Sequence, residues 1–104
     1  MEIEVTSKNF DELRGGELPL LVDFWATWCG PCRRMTPVVA ALAQKYEGRL
    51  VVGKCDVDDN QDVALSLGIR NIPALLLFKG GELVDKVVGA VPQSVLEEKI
   101  DKIV

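Results

Sequence analysis

One nearly uninterrupted apolar segment constrains the fold more than any other feature of this 104-residue chain. Residues 18–26 read Leu-Pro-Leu-Leu-Val-Asp-Phe-Trp-Ala, and Asp23 is their only charged side chain. A strand with one solvent-exposed face alternates polar and apolar residues, so a continuous run of apolar residues is typical of a strand that is covered on both faces. Such strands are usually parallel and central, which predicts a sheet with helices on both sides.

Strand and helix patterns alternate along the whole chain and predict the element order β-α-β-α-β-α-β-β-α. Apolar residues at helical spacing indicate a long helix over about residues 32–46 and shorter ones elsewhere, the first with Thr6 or Ser7 as its N-cap. Gly80-Gly81 between two strand patterns signals a tight hairpin, so the last two strands should pair antiparallel. We therefore expect one α/β domain over residues 1–104, with a mixed, mainly five-stranded sheet.

Composition narrows the classes of function. The chain has 12 Lys+Arg and 16 Asp+Glu, a net charge of -4, which argues against a nucleic-acid partner. No apolar run approaches the roughly 20 residues of a membrane span, and the first residues lack the features of a signal peptide, so we expect a cytoplasmic protein. The absence of histidine excludes histidine-assisted nucleophilic catalysis and histidine-ligated metals.

The strongest chemical signal is the motif Cys29-Gly30-Pro31-Cys32, between the buried strand and the long helix. A helix start offers unpaired N–H groups and the positive end of the helix dipole, and both stabilise a thiolate. Pro31 suits the first turn because it needs no N–H partner there. We expect Cys29, as the more exposed cysteine, to attack a disulfide and Cys32 to resolve the mixed disulfide.

A metal site is the main alternative for this cysteine pair. Zinc usually takes four ligands, and Cys55 is the only other cysteine, so we expect no metal within one chain. A metal or cluster shared between two chains stays open as an alternative.

Asp23 is the second unusual feature, because an ionised carboxylate among large apolar residues is unfavourable. If it is buried, its pKa should be raised. The alternative is a solvent-facing position on an edge strand.

Residues 23–32, which read DFWATWCGPC, together with Ile72-Pro73 and Val88-Gly89, resemble the thioredoxin family. The resemblance extends over essentially the whole chain. It implies the thioredoxin fold and a monomeric protein-disulfide reductase that acts on disulfide-containing target proteins. It also implies recycling by a thioredoxin reductase that draws on NADPH, with no cofactor bound by this chain. Gly30-Pro31 between the cysteines favours a reductase over an oxidase or an isomerase.

The same resemblance implies roles for further residues. Asp23 would lie beneath the cysteines and exchange the proton of Cys32, and Lys54 would help to set the ionisation of Asp23, although an ordinary strand lysine is the alternative. Pro73 would be cis and face the disulfide, so that the backbone of Ile72 can pair with an extended substrate segment. An exposed apolar patch would comprise Trp28, Gly30, Pro31, Ile72, Pro73, Val88, Gly89 and Ala90. For Trp28 a place in the core is the alternative, and for Gly89 a simple bend.

Two positions depart from the family pattern. Ala74 stands where threonine is usual, and we expect this to affect local packing. Cys55 stands where an apolar residue is common, which favours an inert buried thiol over a regulatory or dimer-forming one. A different class of function also stays open, namely a redox-independent binding subunit that uses the same patch.

Overall fold

The five strands form one mixed sheet in the computed structural model, which describes residues 1–104. The strands are β1 (Glu2–Glu4), β2 (Leu20–Trp25), β3 (Val51–Asp56), β4 (Ala74–Lys79) and β5 (Glu82–Val88). Their order across the sheet is β1-β3-β2-β4-β5. Strands β1, β3 and β2 are parallel, whereas β4 is antiparallel to both β2 and β5. The predicted α/β fold with a mixed five-stranded sheet is therefore confirmed.

Four helices connect and cover these strands. They are α1 (Phe10–Arg14), α2 (Gly30–Lys45), α3 (Gln61–Ser66) and α4 (Gln93–Asp101). The longest, α2, continues through Pro37 and is closed by Tyr46, whose hydroxyl donates a 2.6 Å hydrogen bond to Asp101 of α4. None of the four combines the length and the apolar character that a membrane-spanning helix requires.

Strand β2 separates two apolar cores, as its continuous apolar sequence predicts. Leu21 packs on one face with side chains of α2 and α4, including Met35 and Val39. Val22 and Phe24 pack on the other face with residues that include Phe10 of α1. Successive side chains of a strand point to opposite faces, so β2 is buried because both of its faces are covered.

The predicted cap of the first helix is wrong. Asn9, not Thr6 or Ser7, precedes α1, and its side chain makes no capping hydrogen bond to the helix. Its Oδ1 instead accepts a 2.7 Å hydrogen bond from the N–H of Thr6, while the hydroxyl oxygen of Thr6 accepts one from the N–H of Lys8. These local bonds form a turn that precedes the helix, which is the usual competition between such side chains and helical hydrogen bonds.

The predicted hairpin joins β4 to β5 through Gly80 and Gly81. Their φ angles are +63° and +82°, a region that glycine adopts without the steric penalty of a side chain.

Close approach, rather than a turn, explains the glycine in the middle of β3. A Cβ atom at Gly53 would collide with the side chain of Val5 and lie 3.4 Å from the carbonyl oxygen of Ile3. The absence of a side chain at this position therefore lets β1 and the residue after it lie close against β3.

We predict that Gly53→Ala lowers the free energy of unfolding by about 1–3 kcal/mol, the usual effect of overpacking. Urea unfolding would measure it. Gly15→Ala is the control, since a Cβ there meets its nearest atom at an ordinary 3.5 Å. Equal effects of the two substitutions would contradict the steric explanation.

Candidate active site

The two cysteines of the CGPC motif lie where β2 passes into α2. Cys29 is the N-cap of α2, and its Sγ accepts a 3.2 Å hydrogen bond from the N–H of Cys32. The two residues form a disulfide with their Cα atoms 5.3 Å apart. The predicted position of the pair at the start of the long helix is therefore confirmed.

Both cysteines are buried, so the prediction that Cys29 is the more exposed is wrong. Each has a relative exposure of 4%. They form a small cluster with Ala26, against which Trp25 and Ile72 also pack. The Sγ of Cys29 is 3.8 Å from the carbonyl oxygen of Ile72. The loop that precedes β4 therefore covers the cysteine that was expected to face solvent.

The Ile72–Pro73 loop lies next to Cys29, and Gly89, which follows β5, lies beside that loop. The Ile72–Pro73 peptide bond is cis, as predicted, and the N–H of Gly89 donates a 2.8 Å hydrogen bond to the carbonyl oxygen of Pro73. Gly89 has a φ of +97°, which favours glycine. Pro73 itself is buried, contrary to its predicted place in an exposed patch, because it leads directly into β4, whose first residues are covered on both faces.

Trp28 is exposed, which excludes its alternative place in the core. Its relative exposure is 68%, and its indole N–H donates a 2.9 Å hydrogen bond to Asp58. The other predicted patch residues are exposed or half-buried. We call the surface around the disulfide the apolar groove; it comprises Trp28, Gly30, Pro31, Ile72, Val88, Gly89 and Ala90.

Asp23 is buried in the central strand, so its alternative position on an edge strand is wrong. It is 1% exposed, and neither of its carboxylate oxygens has a hydrogen-bond partner. Burial raises the pKa of Asp23 from 3.8 to about 6, while the charge of Lys54 acts to lower it and that of Glu2 to raise it. Its antiparallel partner Leu75 belongs to the core beneath α2, so the carboxylate lies on the sheet face that this helix covers.

Lys54 lies beside Asp23, in register with it on the neighbouring strand. Its Nζ is 5.1 Å from the centre of the Trp25 ring. Lys54, Trp25 and Cys32 also line one cavity of about 240 Å³. The structure therefore brings Lys54 close to both the buried acid and Cys32, which favours a role in the site over that of an ordinary strand lysine.

Cys55 lies on the opposite face of the sheet from Asp23. It is a free thiol with no exposed surface, in the core that contains Val22 and Phe24. Burial raises the pKa of Cys55 to about 12, and nearby carboxylates add to this effect. Since the thiolate is the reactive form, these surroundings favour an inert core thiol.

Two residues of the site were not predicted. Asp58, the partner of the Trp28 indole, follows the carboxyl end of β3, and that end of a parallel strand lies at the same edge of the sheet as the start of α2. The sequence places Asp58 in an acidic loop after a buried strand, and this position could have indicated a role at that end of the sheet. Glu2 acts on the pKa of Asp23. The sequence does not indicate this effect, because the position of Glu2 relative to Asp23 depends on the register of β1.

Comparison with known proteins identifies the family. The thioredoxin family model matches residues 2–102. The chain belongs to the thioredoxin family.

Named thioredoxins resemble this chain over almost its full length. A thioredoxin of Porphyra purpurea is 52% identical over 100 residues, which cover 95% of this chain and 94% of that protein. Thioredoxin 1 of a Nostoc species is 51% identical with the same coverage. A chloroplastic M-type thioredoxin of Pisum sativum is 48% identical over 94% of this chain and 58% of its own length.

Family membership and geometry agree on the chemistry. Thioredoxins are thiol-disulfide oxidoreductases, and the Cys29–Cys32 pair at a helix start fits their redox dithiol. The family has partners of two general kinds, a reductase and proteins that carry disulfides.

Asp23→Asn should remove a pH dependence of stability. Between pH 4 and 6 the unfolded chain releases the proton of Asp23 first, because its pKa in the folded chain is about 6. The free energy of unfolding of the parent should therefore fall by about 2.5 kcal/mol as the pH rises from 4 to above 7. The variant should lack this contribution and gain about that much relative to the parent.

Urea unfolding of the oxidised proteins at pH 4–8 would measure the difference. Asp59→Asn, which removes an exposed carboxylate, is the matched control and should keep the pH dependence of the parent. A constant stability difference between parent and Asp23→Asn across this range would contradict burial of an ionisable carboxylate.

Proposed function

We propose that this chain reduces disulfides of partner proteins in two thiol-disulfide exchanges. The thiolate of Cys29 attacks one sulfur of the target, which forms a mixed disulfide and releases the other target sulfur as a thiol. The thiolate of Cys32 then attacks Cys29, which restores the Cys29–Cys32 disulfide and frees the second target thiol. The dithiol is oxidised by two electrons, and the target disulfide is reduced by the same two electrons.

The observation that carries this proposal is the position of Cys29 at the start of α2. Its sulfur accepts the N–H of Cys32, and α2 is a 16-residue helix with no acidic residue in its first turn. Helix dipole and N–H donor both stabilise negative charge on sulfur, which lowers the pKa of a cysteine and raises its reactivity near neutral pH. The same donor would stabilise Cys29 as the leaving group in the second exchange.

Asp23 would serve the second exchange as a proton acceptor. Cys32 must lose its proton to attack, and the N-terminal turn of α2 that carries it lies over the sheet face of Asp23. A carboxylate with a pKa of about 6 is a better base than an ordinary aspartate. Lys54 would keep part of the Asp23 population ionised through its positive charge.

The apolar groove would hold the target on either side of its disulfide. The N–H and carbonyl groups of Ile72 have no backbone partner within the chain, although they lie beside Cys29. An extended target segment could pair with them as an added strand. Trp28 and Val88 would supply apolar contact that does not depend on a particular target sequence.

Recycling would require an external electron source. We infer that a thioredoxin reductase returns the pair to the dithiol with electrons from NADPH, and that the chain itself binds no cofactor and acts as a monomer. A dithiol of this kind works where thiols are kept reduced, so we propose the cytoplasm as its location.

Cys32→Ser should trap the mixed disulfide on Cys29. With the resolving thiol removed, the reduced variant incubated with insulin should accumulate a covalent adduct that non-reducing electrophoresis detects and dithiothreitol dissolves. The parent should release reduced insulin chains instead.

Cys29→Ser is the matched control and should form little adduct, because Cys32 lies inside the helix and lacks the N-cap position that stabilises a thiolate at Cys29. Equal trapping by both variants would contradict the assigned order of attack. A partner that binds the doubly substituted chain, Cys29→Ser with Cys32→Ser, as tightly as the parent would reveal redox-independent binding in the apolar groove.

Asp23→Asn should slow the release of targets from the mixed disulfide near neutral pH. The expected loss is about 10- to 100-fold in rate at pH 7, at or just below the lower end of what general-base catalysis contributes. Stopped-flow fluorescence of Trp25 and Trp28 during insulin reduction would measure the rate.

Lys54→Gln is the informative comparison. It keeps the acid but removes the positive charge that lowers the pKa of Asp23, so it should move the pH midpoint of the rate upward rather than abolish it. An unchanged pH–rate profile in Asp23→Asn would refute the proton-acceptor role.

A further inference from the structure

A second carboxylate faces the buried acid from the edge of the sheet. Glu2 of β1 is in register with Val52, whose side chain belongs to the core beneath α2. Residues in register on parallel strands point to the same face, so Glu2 lies on the face that also holds Asp23. Its Oε1 is buried and has no hydrogen-bond partner.

Lys54 stands between Glu2 and the redox pair. Glu2, Trp25 and Lys54 line an outer cavity of about 480 Å³ at the β1 edge. Trp25 and Lys54 also line the inner cavity of about 240 Å³ that reaches Cys32. The two cavities thus share two residues, Trp25 and Lys54, and Lys54 is in register with Asp23.

The charged groups around Asp23 come from a small set of elements. Strand β3 supplies Lys54, and β1 supplies Glu2. Helix α2 carries Cys32 and the charged Arg33, which both line the inner cavity, and β4 offers only the apolar Leu75 in register. The remaining charged residues that line the outer cavity are Glu4, Asp56 and Asp59.

We propose that Glu2 is a positioning residue for disulfide exchange, acting on Asp23 across Lys54 from the edge strand of the sheet. This inference rests on the proposed role of Asp23 as the proton acceptor for Cys32. Lys54 alone would stabilise the Asp23 carboxylate and so make it a weaker base for the proton of Cys32. The negative charge of Glu2 opposes that field and leaves Asp23 able to hold a proton near neutral pH.

The electrostatic contributions agree with this arrangement. Among the charges that act on Asp23, Lys54 lowers its pKa and Glu2 raises it. No salt bridge joins Lys54 to either carboxylate, since the three ion pairs of the structure lie elsewhere. The ammonium group instead lies over the Trp25 ring. Glu2 therefore acts through its field rather than by direct contact with Asp23.

Glu2→Gln tests the inference because it removes the charge with little change in shape. We expect the pKa of Asp23 to fall by about 0.5 to 1 pH unit, the effect of a unit charge two strand spacings away, roughly 10 Å, in a partly wet environment. Carbon-13 NMR of the Asp23 carboxyl group in the whole reduced chain would measure this shift. The pH midpoint of the target-release rate with insulin should fall by the same amount.

Glu4→Gln is the matched control. Glu4 lies on the same strand, is exposed, and is itself in register with Lys54. Its charge raises the pKa of Cys55 on the opposite face, whereas the charges that act on the pKa of Asp23 are those of Lys54 and Glu2. The pKa of Asp23 in this variant should move by less than half the shift in Glu2→Gln.

Two results would overturn the inference. One is an unchanged pKa of Asp23 in Glu2→Gln, or a shift no larger than in Glu4→Gln. The other is a shifted pKa with an unchanged pH–rate midpoint. In that second case Asp23→Asn separates the explanations: if it alters the profile, only the role of Glu2 fails, and if it does not, the proton-acceptor role of Asp23 fails as well.

Discussion

The position of the redox pair follows from the burial of β2 on every side. The strand is hydrogen-bonded to β3 on one edge and to β4 on the other, and its two faces are covered by separate apolar cores. A chain that leaves such a strand must turn at its end and return over one of the faces. Here the chain turns after Trp25 and returns as α2, so the first turn of this helix lies at the carboxyl end of β2. Cys29 caps that turn, and the reactive sulfur is therefore held by the most constrained part of the molecule.

Asp23 is the one residue of β2 whose side chain is unfavourable in its apolar surroundings. The other buried polar residue, Asn60, is satisfied: its Oδ1 accepts the N–H of Ser7 and its amide donates to Asp56. Asp23 has no such partner. A pKa of about 6 in place of 3.8 corresponds to about 3 kcal/mol at neutral pH, a substantial part of the 5–15 kcal/mol typical of a folded domain. The proposed role as proton acceptor would explain why a position so unfavourable to folding is occupied by a carboxylate.

Much of the fold could be predicted from local patterns, and the failures share a cause. The apolar run of β2 was enough to predict a covered central strand, and Gly80-Gly81 was enough for the hairpin. The burial of Cys29 depends on Ile72, which is 43 residues away in the chain, so no local pattern indicates it.

The same holds for the charges around the site. The pairing of Lys54 with Asp23 and the approach of Glu2 depend on strand register, which alternation alone leaves open by steps of two residues. Chemistry carried by neighbours in sequence was predictable, whereas electrostatics set by neighbours in space needed the structure.

The raised pKa of Asp23 has two consequences of equal size. It lowers the free energy of unfolding at neutral pH, and it makes the carboxylate a stronger base. Proton transfer from a thiol to a carboxylate becomes less unfavourable by about 1.4 kcal/mol for each pH unit by which the pKa of the carboxylic acid rises. With the pKa of Asp23 raised from 3.8 to about 6, transfer to Asp23 is about 3 kcal/mol less unfavourable than transfer to an ordinary aspartate. The gain equals the loss of stability, because both arise from an anion that the folded chain solvates poorly. Any change that stabilises the Asp23 anion, by pairing it with a charge or by hydrating it, therefore makes it a weaker base. Lys54 lowers the pKa of Asp23 in this way, and Glu2 opposes that effect.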